Sequence, residues 1–246
     1  MDDQSGQQQE KIHTSTGFFS KYQKYLAEFV YGGIDGSVTT FAVVAGSAGA
    51  NLDSSIIIIL GFANLIADGF SMSVGSYLSN KSEIENFEKH KRIEHWEIEH
   101  LPEEERDEIR EIYKAKGFKG KLLEQVVDII TEDPERWVDT MMKEELEMMK
   151  KMKSPMAMAI VTFISFILVG ITPLLIYILD YVVPNNVNHL FYTSIVMTSL
   201  AFVGIGFLKS FVNQTGKFKS IFETLLLGTA AAALAYFTGN ILDKLF

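Results

Sequence analysis

Five apolar segments constrain this chain more than any other feature, because each is long enough to cross a lipid bilayer. A helix needs about 20 apolar residues to span the hydrocarbon core. The five candidate spans are residues 26–49, 54–79, 156–182, 189–212 and 219–242. The sequence therefore predicts an all-α, polytopic membrane protein with five transmembrane helices. The alternative is a soluble helical protein with unusually apolar core helices, and the regular charge pattern at the span ends disfavours it.

Short polar turns separate the spans and carry information about their orientation. Residues 51–53 join the first two spans, Pro184-Asn185-Asn186 joins the third and fourth, and Thr215-Gly216-Lys217 joins the last two. Basic residues lie at one set of span ends: Lys21, Lys24, Lys81, Lys150, Lys151, Lys153, Lys209, Lys217 and Lys219. The turns at 50–53 and 183–188 carry none, and only Lys244 departs from the pattern. Because basic loops stay in the cytoplasm, we expect a cytoplasmic N-terminus and an external C-terminus.

Charge is concentrated in one part of the chain. Most of the 31 acidic and 22 basic residues lie between Lys81 and Lys153, and the net charge is −9. This acidic balance disfavours nucleic acid as a partner, which requires a basic surface, and suits metal cations. The chain has no cysteine, so disulfides and thiolate metal sites are excluded.

These patterns divide the chain into four regions. Residues 1–24 are read as a mobile polar tail without the apolar core of a secretory signal. Residues 25–80 hold the first two spans, 81–154 a cytoplasmic helical metal-binding insert, and 155–246 the last three spans.

The insert is predicted to contain four helices. The first continues from the second span through His100, and Pro102 begins the second, which reaches about Lys116. The third covers residues 119–130. Asp133-Pro134 begins the fourth, which is expected to run toward Lys153.

Ionisable residues inside the spans are the main functional signal, because a buried charge in a bilayer costs about 2.5–3.5 kcal/mol. Glu28 and Asp35 lie two helical turns apart on the first span. Asn64, Asp68 and Met72 follow one another at intervals of four on the second. Each set therefore shares one helix face, and together they predict a polar path. A thioether among oxygen ligands favours a transition metal, although a methionine in a span can also simply pack.

The insert carries further candidate metal ligands at helical spacing. These are Glu94, Glu97, Glu105, Glu108, Glu111, Met141, Met142 and Glu145. Carboxylates on facing helices build divalent metal sites, whereas a solvated charged face is the alternative for any single glutamate. Glu97 and His100 also match a Glu-x-x-His element of di-iron bundles, but the insert has no later histidine to supply a second copy.

Several motifs resemble the vacuolar iron transporter family, in the manner of its prokaryotic members. They are Asp35-Gly36, the stretch FAVVAG at 41–46, GFSM at 69–72 with Gly75 and Tyr77, and WVDTMMKEE at 137–145. The resemblance implies a homodimer that moves ferrous iron out of the cytosol in exchange for protons. It also implies metal ligation by Asp35 and Met72 in the membrane, an entrance role for Glu28, and metal binding by the insert residues.

Ser76 departs from that pattern, because many similar chains have an acidic residue at this position. Asp68 and Ser76 lie one turn on either side of Met72. We therefore predict that Asp68 supplies the missing carboxylate, as a metal ligand or proton carrier.

Other functions stay open at this point. The ligands suit Fe²⁺ but also Mn²⁺, Zn²⁺ or Co²⁺, so a manganese exporter is an alternative. A membrane-anchored metal buffer or sensor is another, and a membrane ferroxidase a third. We expect a transporter and not an enzyme, in a prokaryotic plasma membrane rather than a vacuolar one.

Overall fold

The computed structural model of the chain describes residues 24–151, 153–183 and 189–246. These residues form helices joined by short turns, and there is no strand among them. Within the described residues, five helical segments are long and apolar enough to cross a membrane, which confirms the predicted all-α fold with five spans. The predicted tail up to residue 23 and the predicted turn at Pro184-Asn185-Asn186 lie outside the described residues.

The bounds of the helices follow the sequence signals closely. In the first half of the chain they are α1 (Leu26–Gly49), α2 (Ser54–His100), α3 (Pro102–Ala115), α4 (Gly120–Thr131) and α5 (Pro134–Glu144). In the second half they are α6 (Pro155–Gly170), a 3₁₀ turn (Thr172–Leu174), α7 (Leu175–Val182), α8 (Leu190–Asn213) and α9 (Lys217–Leu245).

Local capping explains where the helices begin and end. The Asp133 side chain accepts hydrogen bonds from the backbone N–H groups of Glu135 and Arg136, with proline at the first helical position of α5. Ser154 caps α6 in the same way, and Pro155 follows it. Gly117, with a φ of +99°, lies just beyond α3, where the left-handed conformation favours glycine.

The third span is interrupted, which the sequence reading did not predict. Its α-helix stops at Gly170, a 3₁₀ turn carries Pro173, and α7 then completes the span. Proline cannot donate a backbone hydrogen bond, so a regular helix is broken around it. The Ser194 hydroxyl of α8 donates to the Pro173 carbonyl oxygen at 2.7 Å, which satisfies one buried acceptor at the break.

The fourth insert helix is shorter than predicted. It ends at Glu144 and does not run toward Lys153. The Met148 N–H donates to the Met142 carbonyl at 2.8 Å, and Glu147 adopts a left-handed φ of 53°. This backbone conformation ends the helix, so residues 145–151 are irregular despite their helix-favouring composition.

The described chain forms two compact units. One comprises the part up to Tyr77 together with Lys153–Phe246, and the other comprises Leu78–Met152. In the first unit α1 packs closely against α6, α8 and α9. A Cβ on Gly32 would lie 2.5 Å from the Thr162 carbonyl oxygen, and Gly36 approaches the Phe166 carbonyl as tightly. Small residues thus allow the backbones of α1 and α6 to touch.

The second unit has its own hydrophobic core. Its buried side chains come from α3, α4 and α5, and they are Ile109, Leu123, Val127, Ile130, Trp137 and Met141. The apolar faces of three short amphipathic helices therefore cover one another, and most of their charged side chains stay exposed, with the buried Glu105 of α3 as an exception.

Candidate functional site

Glu28 lies in the first turn of α1, in the unit that holds the spans. Its side chain is only 10% exposed, and its Oε1 atom accepts a hydrogen bond from Lys153 Nζ at 2.8 Å. Its Oε2 atom is buried and has no hydrogen-bond partner among the described residues. A buried carboxylate with one unsatisfied oxygen is costly, so this residue retains capacity to bind a cation.

Asp35 lies two turns further along α1 and is half-buried. It lies close enough to Asp68 of α2 for the two charges to interact. Two carboxylates that approach each other on separate helices repel unless a cation or a proton lies between them. The two aspartates that the sequence places on different spans therefore influence each other electrostatically.

Asn64 and Met72 share the face of α2 that carries Asp68, one turn before it and one turn after it. All three side chains are half-buried. The Asn64 Nδ2 group is buried and makes no hydrogen bond within the described ranges 24–151, 153–183 and 189–246. The face of α2 around Asp68 therefore combines oxygen, amide and thioether groups.

The insert gathers carboxylates much more densely. Glu94 on α2 is 3% exposed and Glu105 on α3 is 5% exposed. Burial raises the pKa of Glu94 to about 7, and the charges of Glu145, Glu97 and Glu108 contribute to this increase. Burial raises the pKa of Glu105 to about 8, again with contributions from neighbouring glutamates. Both carboxyls are therefore partly protonated near neutral pH when no metal is bound.

Three more glutamates complete this group, which we call the acidic cluster: Glu94, Glu97, Glu105, Glu108 and Glu145. Burial followed by repulsion from Glu97 raises the pKa of Glu108. Burial and the charges of Glu108 and Glu97 raise the pKa of Glu145. The Oε2 atoms of Glu94 and Glu105 are both buried, and neither has a hydrogen-bond partner in the part of the chain that the structure describes.

The density of carboxylates in the acidic cluster suits a divalent ion, although these carboxylates do not form a complete metal-binding geometry. Among the residues that the structure describes, no three His, Asp or Glu side chains stand in a geometry that could hold a metal ion. Mutual repulsion keeps ionised carboxylates apart, and a bound cation would draw them together.

The remaining predicted insert residues lie in different surroundings. Glu111 is exposed, and it accepts a hydrogen bond from Lys114 at 2.9 Å. Met141 is fully buried in the hydrophobic core of the insert. Met142 is also buried, and it lines an open cavity of about 510 Å³ together with Phe87, Met148 and Met149.

The Glu-x-x-His element does not contribute its histidine to the acidic cluster. The His100 ring stacks on Trp96 with 4.5 Å between the ring centroids, and its Nδ1 atom lies 2.8 Å from the Trp96 carbonyl oxygen. The His100 side chain is exposed to solvent. This arrangement gives no support to a ferritin-like oxidase centre.

Lys153 is the site residue that sequence reasoning missed. The sequence marks it only as one of several lysines at span ends, whereas the structure places its ammonium on the Glu28 carboxylate. Its position directly before the Ser154-Pro155 cap fixes it at the entrance to α6. The sequence shows that Lys153 lies at a span end, but it does not show which acidic side chain contacts it.

The structure has five apolar spans that carry carboxylates, and a separate helical unit that holds the acidic cluster. These features define a polytopic membrane protein whose carboxylates can bind cations. The chain belongs to the VIT family, whose match covers residues 26–240. It is therefore a transmembrane protein of an iron-transporter family.

Relatives with assigned names agree with this placement. The chain is 34% identical to a vacuolar iron transporter of Toxoplasma gondii over 238 residues, which cover 94% of this chain and 77% of the relative. It is 32% identical to vacuolar iron transporter 1 of Eucalyptus grandis, with coverage of 86% and 84%. It is also 32% identical to vacuolar iron transporter 1 of Arabidopsis thaliana, with coverage of 89% and 86%.

Proposed function

We propose that the protein moves ferrous iron out of the cytosol in exchange for protons. The observation that carries this proposal is that the charge of Asp68 acts on Asp35, a half-buried carboxylate on a different span. Repulsion between two such carboxylates is relieved when a cation or a proton binds to one of them. Alternate occupation by metal and proton is the minimal requirement for coupled exchange.

The acidic cluster and the spans have separate tasks in this proposal. The cluster captures a divalent metal from the cytosol and raises its local concentration. The metal then enters the path that Glu28, Asp35, Asn64, Asp68 and Met72 line. The softer Met72 sulfur favours ferrous and other late divalent ions over magnesium or calcium.

Protons release the metal on the far side. A proton that arrives from outside neutralises a path carboxylate, which weakens its attraction for the cation and lets the metal leave. The proton then moves inward when the next metal ion displaces it. Asp68 supplies the titratable group in the part of the path where Ser76 cannot.

The setting of the transporter is also proposed. The lysine pattern supports a cytoplasmic N-terminus and insert. A single chain offers few path residues, so a symmetric homodimer in the bilayer is the proposed transport unit. We favour a prokaryotic plasma membrane; the relatives are named as vacuolar transporters, and in either membrane iron would leave the cytosol.

Two alternative functions fit part of these observations: transport of another divalent metal, and metal buffering by a membrane-anchored protein. Manganese, zinc or cobalt fits the same ligand types as substrate. A membrane-anchored metal buffer would explain the acidic cluster, with its buried and unpartnered carboxylate oxygens. Such a buffer has no use for interacting carboxylates within the spans, which is why we favour transport.

Reconstituted protein tests this proposal directly. Proteoliposomes that enclose a pH indicator are given an inward gradient of ferrous iron, and metal uptake and internal pH are followed together. We expect metal entry accompanied by proton exit. Metal binding without any flux would contradict the proposal and leave the buffer as the function.

A further inference from the structure

The Glu28–Lys153 ion pair places an internal cation on a carboxylate of the proposed path. Lys153 Nζ lies 2.8 Å from Glu28 Oε1, and the other carboxylate oxygen is buried without a partner among the described residues. Glu28 is nine-tenths buried, whereas Lys153 is about one-third exposed. The carboxylate is therefore fixed in place, and its ammonium partner has access to water.

The helix that follows Lys153 does not attract its ammonium group. It immediately precedes Ser154, which caps the N-terminus of α6. The positive end of a helix dipole disfavours a nearby cation. Contact with Glu28 is thus the main attraction that holds the ammonium here, and the flexible lysine stem allows it to move away.

We propose that Lys153 is a specificity-determining residue, a tethered ammonium that occupies Glu28 until a divalent metal ion displaces it. This inference rests on the proposed function. A monovalent ion that replaced the ammonium would bring the same charge and would gain nothing electrostatically. A divalent ion brings twice the charge, and the second Glu28 oxygen is available to ligate it.

The tether makes this competition effective. An ammonium on the same chain competes for Glu28 at a local concentration that the solution does not change, and it is already in contact with the carboxylate at 2.8 Å. Sodium and potassium bring no more charge than the ammonium and so do not displace it, whereas a divalent ion does. After the metal has moved on, Lys153 returns and restores the neutral pair.

Ferrous iron uptake into proteoliposomes tests this role, with Lys153→Met as the neutral variant and Lys153→Arg as the charge-conserving control. In choline buffer, we expect Lys153→Met to lower the half-saturating iron concentration about three- to tenfold, with the maximal rate changed less than about twofold. Added potassium should raise that concentration in Lys153→Met and leave the wild type nearly unchanged. Lys153→Arg should behave as the wild type.

Two further variants separate this role from a purely structural one. In a Glu28→Gln background, Lys153→Met should have no effect on half-saturation, because the competition has lost its target. Lys153→Gln, a second neutral variant, should give the same lowered half-saturation as Lys153→Met and replaces it if Lys153→Met does not fold. An unchanged or raised half-saturating concentration, with no sensitivity to potassium, would overturn the inference while leaving the transport proposal intact. No uptake by the wild type would overturn both.

Discussion

The acidic residues of the two units are arranged in opposite ways. The insert gathers five glutamates into one group, and two of them are almost fully buried with unpartnered oxygens. The spans hold a few carboxylates that are distributed along α1 and α2, and the one nearest the start of α1 is neutralised by Lys153. The first arrangement concentrates acidic groups in one place, and the second spreads them along two helices, where Asp68 acts on Asp35 and Lys153 pairs with Glu28.

The two arrangements indicate how metal binding and metal movement can be separated in one chain. Crowded carboxylates attract a divalent ion strongly, but an ion held by many ligands leaves slowly. Conduction requires sites that bind well enough to admit an ion and weakly enough to release it. We therefore expect the insert to determine the metal concentration at which transport begins, and the spans to determine whether transport occurs at all.

The largest expected effect comes from removing one carboxylate in the spans. Asp68→Asn should reduce both metal and proton flux by about tenfold or more, because the path loses a charged group. A charge is costly to bury within a span, so its presence there marks a functional position. Flux in proteoliposomes measures this effect. Asp180→Asn, near the end of α7, is the matched control and should keep the wild-type rates. Unchanged metal and proton fluxes in Asp68→Asn would remove this residue from the path.

Loss of charge in the insert should change a different parameter. We expect the double variant Glu94→Gln and Glu105→Gln to raise the half-saturating metal concentration by about tenfold while leaving the maximal rate within about twofold. The exposed Glu132→Gln provides the control for a simple change in net charge. If the maximal rate fell by as much as we expect for Asp68→Asn, the two units would not have the separate tasks proposed for them.

Metal binding by the insert should depend on pH in a defined direction. Because the pKa values of Glu94 and Glu105 are about 7 and 8, a metal must displace protons from these carboxyls at neutral pH. Zinc affinity of the detergent-solubilised protein should therefore rise several-fold per pH unit between pH 6 and 8, with proton release. In Glu94→Gln plus Glu105→Gln this dependence should flatten, and a full dependence in that variant would assign it to other groups.

The raised pKa values of Glu94 and Glu105 also predict a smaller effect, which concerns the folding stability of the insert without bound metal. Their folded pKa values are raised above the usual 4.5, so the folded state holds more protons than the unfolded state between about pH 4.5 and 8. Stability is then fully present below pH 4.5 and decreases as the pH rises through 7 to 8. Hydrogen exchange of α3 and α5, corrected for intrinsic rates, should show declining protection that zinc restores. Protection that increased over this range would contradict the pKa directions.

Much of the fold was predictable because its signals are local. The bounds of α1, the continuation of α2 through His100 and the helix starts at Pro102 and Pro134 follow from apolar length, proline and caps. The interruption at Pro173 was missed because an apolar run of spanning length masks one proline within it. The early end of α5 was missed because its cause is a backbone turn at Glu147 in residues that favour helix.

The candidate site was predictable in its residue types but not in its partners. Helical spacing places Asn64, Asp68 and Met72 on one face, and it separately groups Glu94 with Glu97 and Glu105 with Glu108. It cannot show that the charges of Glu94 and Glu105 act on one another. The pairing of Glu111 with Lys114, in contrast, follows from their separation of three residues on one helix. The pairing of Glu28 with Lys153 joins residues 125 positions apart, a contact that only the packed fold creates.

Simultaneous measurement of metal binding and metal flux in Asp35→Ala tests the separation of tasks most directly. The variant and its control Asp53→Ala, in the exposed turn between α1 and α2, are compared with the wild type in the same proteoliposomes. We expect Asp35→Ala to bind ferrous iron through the insert as the wild type does, while metal uptake and opposing proton movement are lost. Wild-type flux in Asp35→Ala would contradict a path through the first span and with it the proposed exchange.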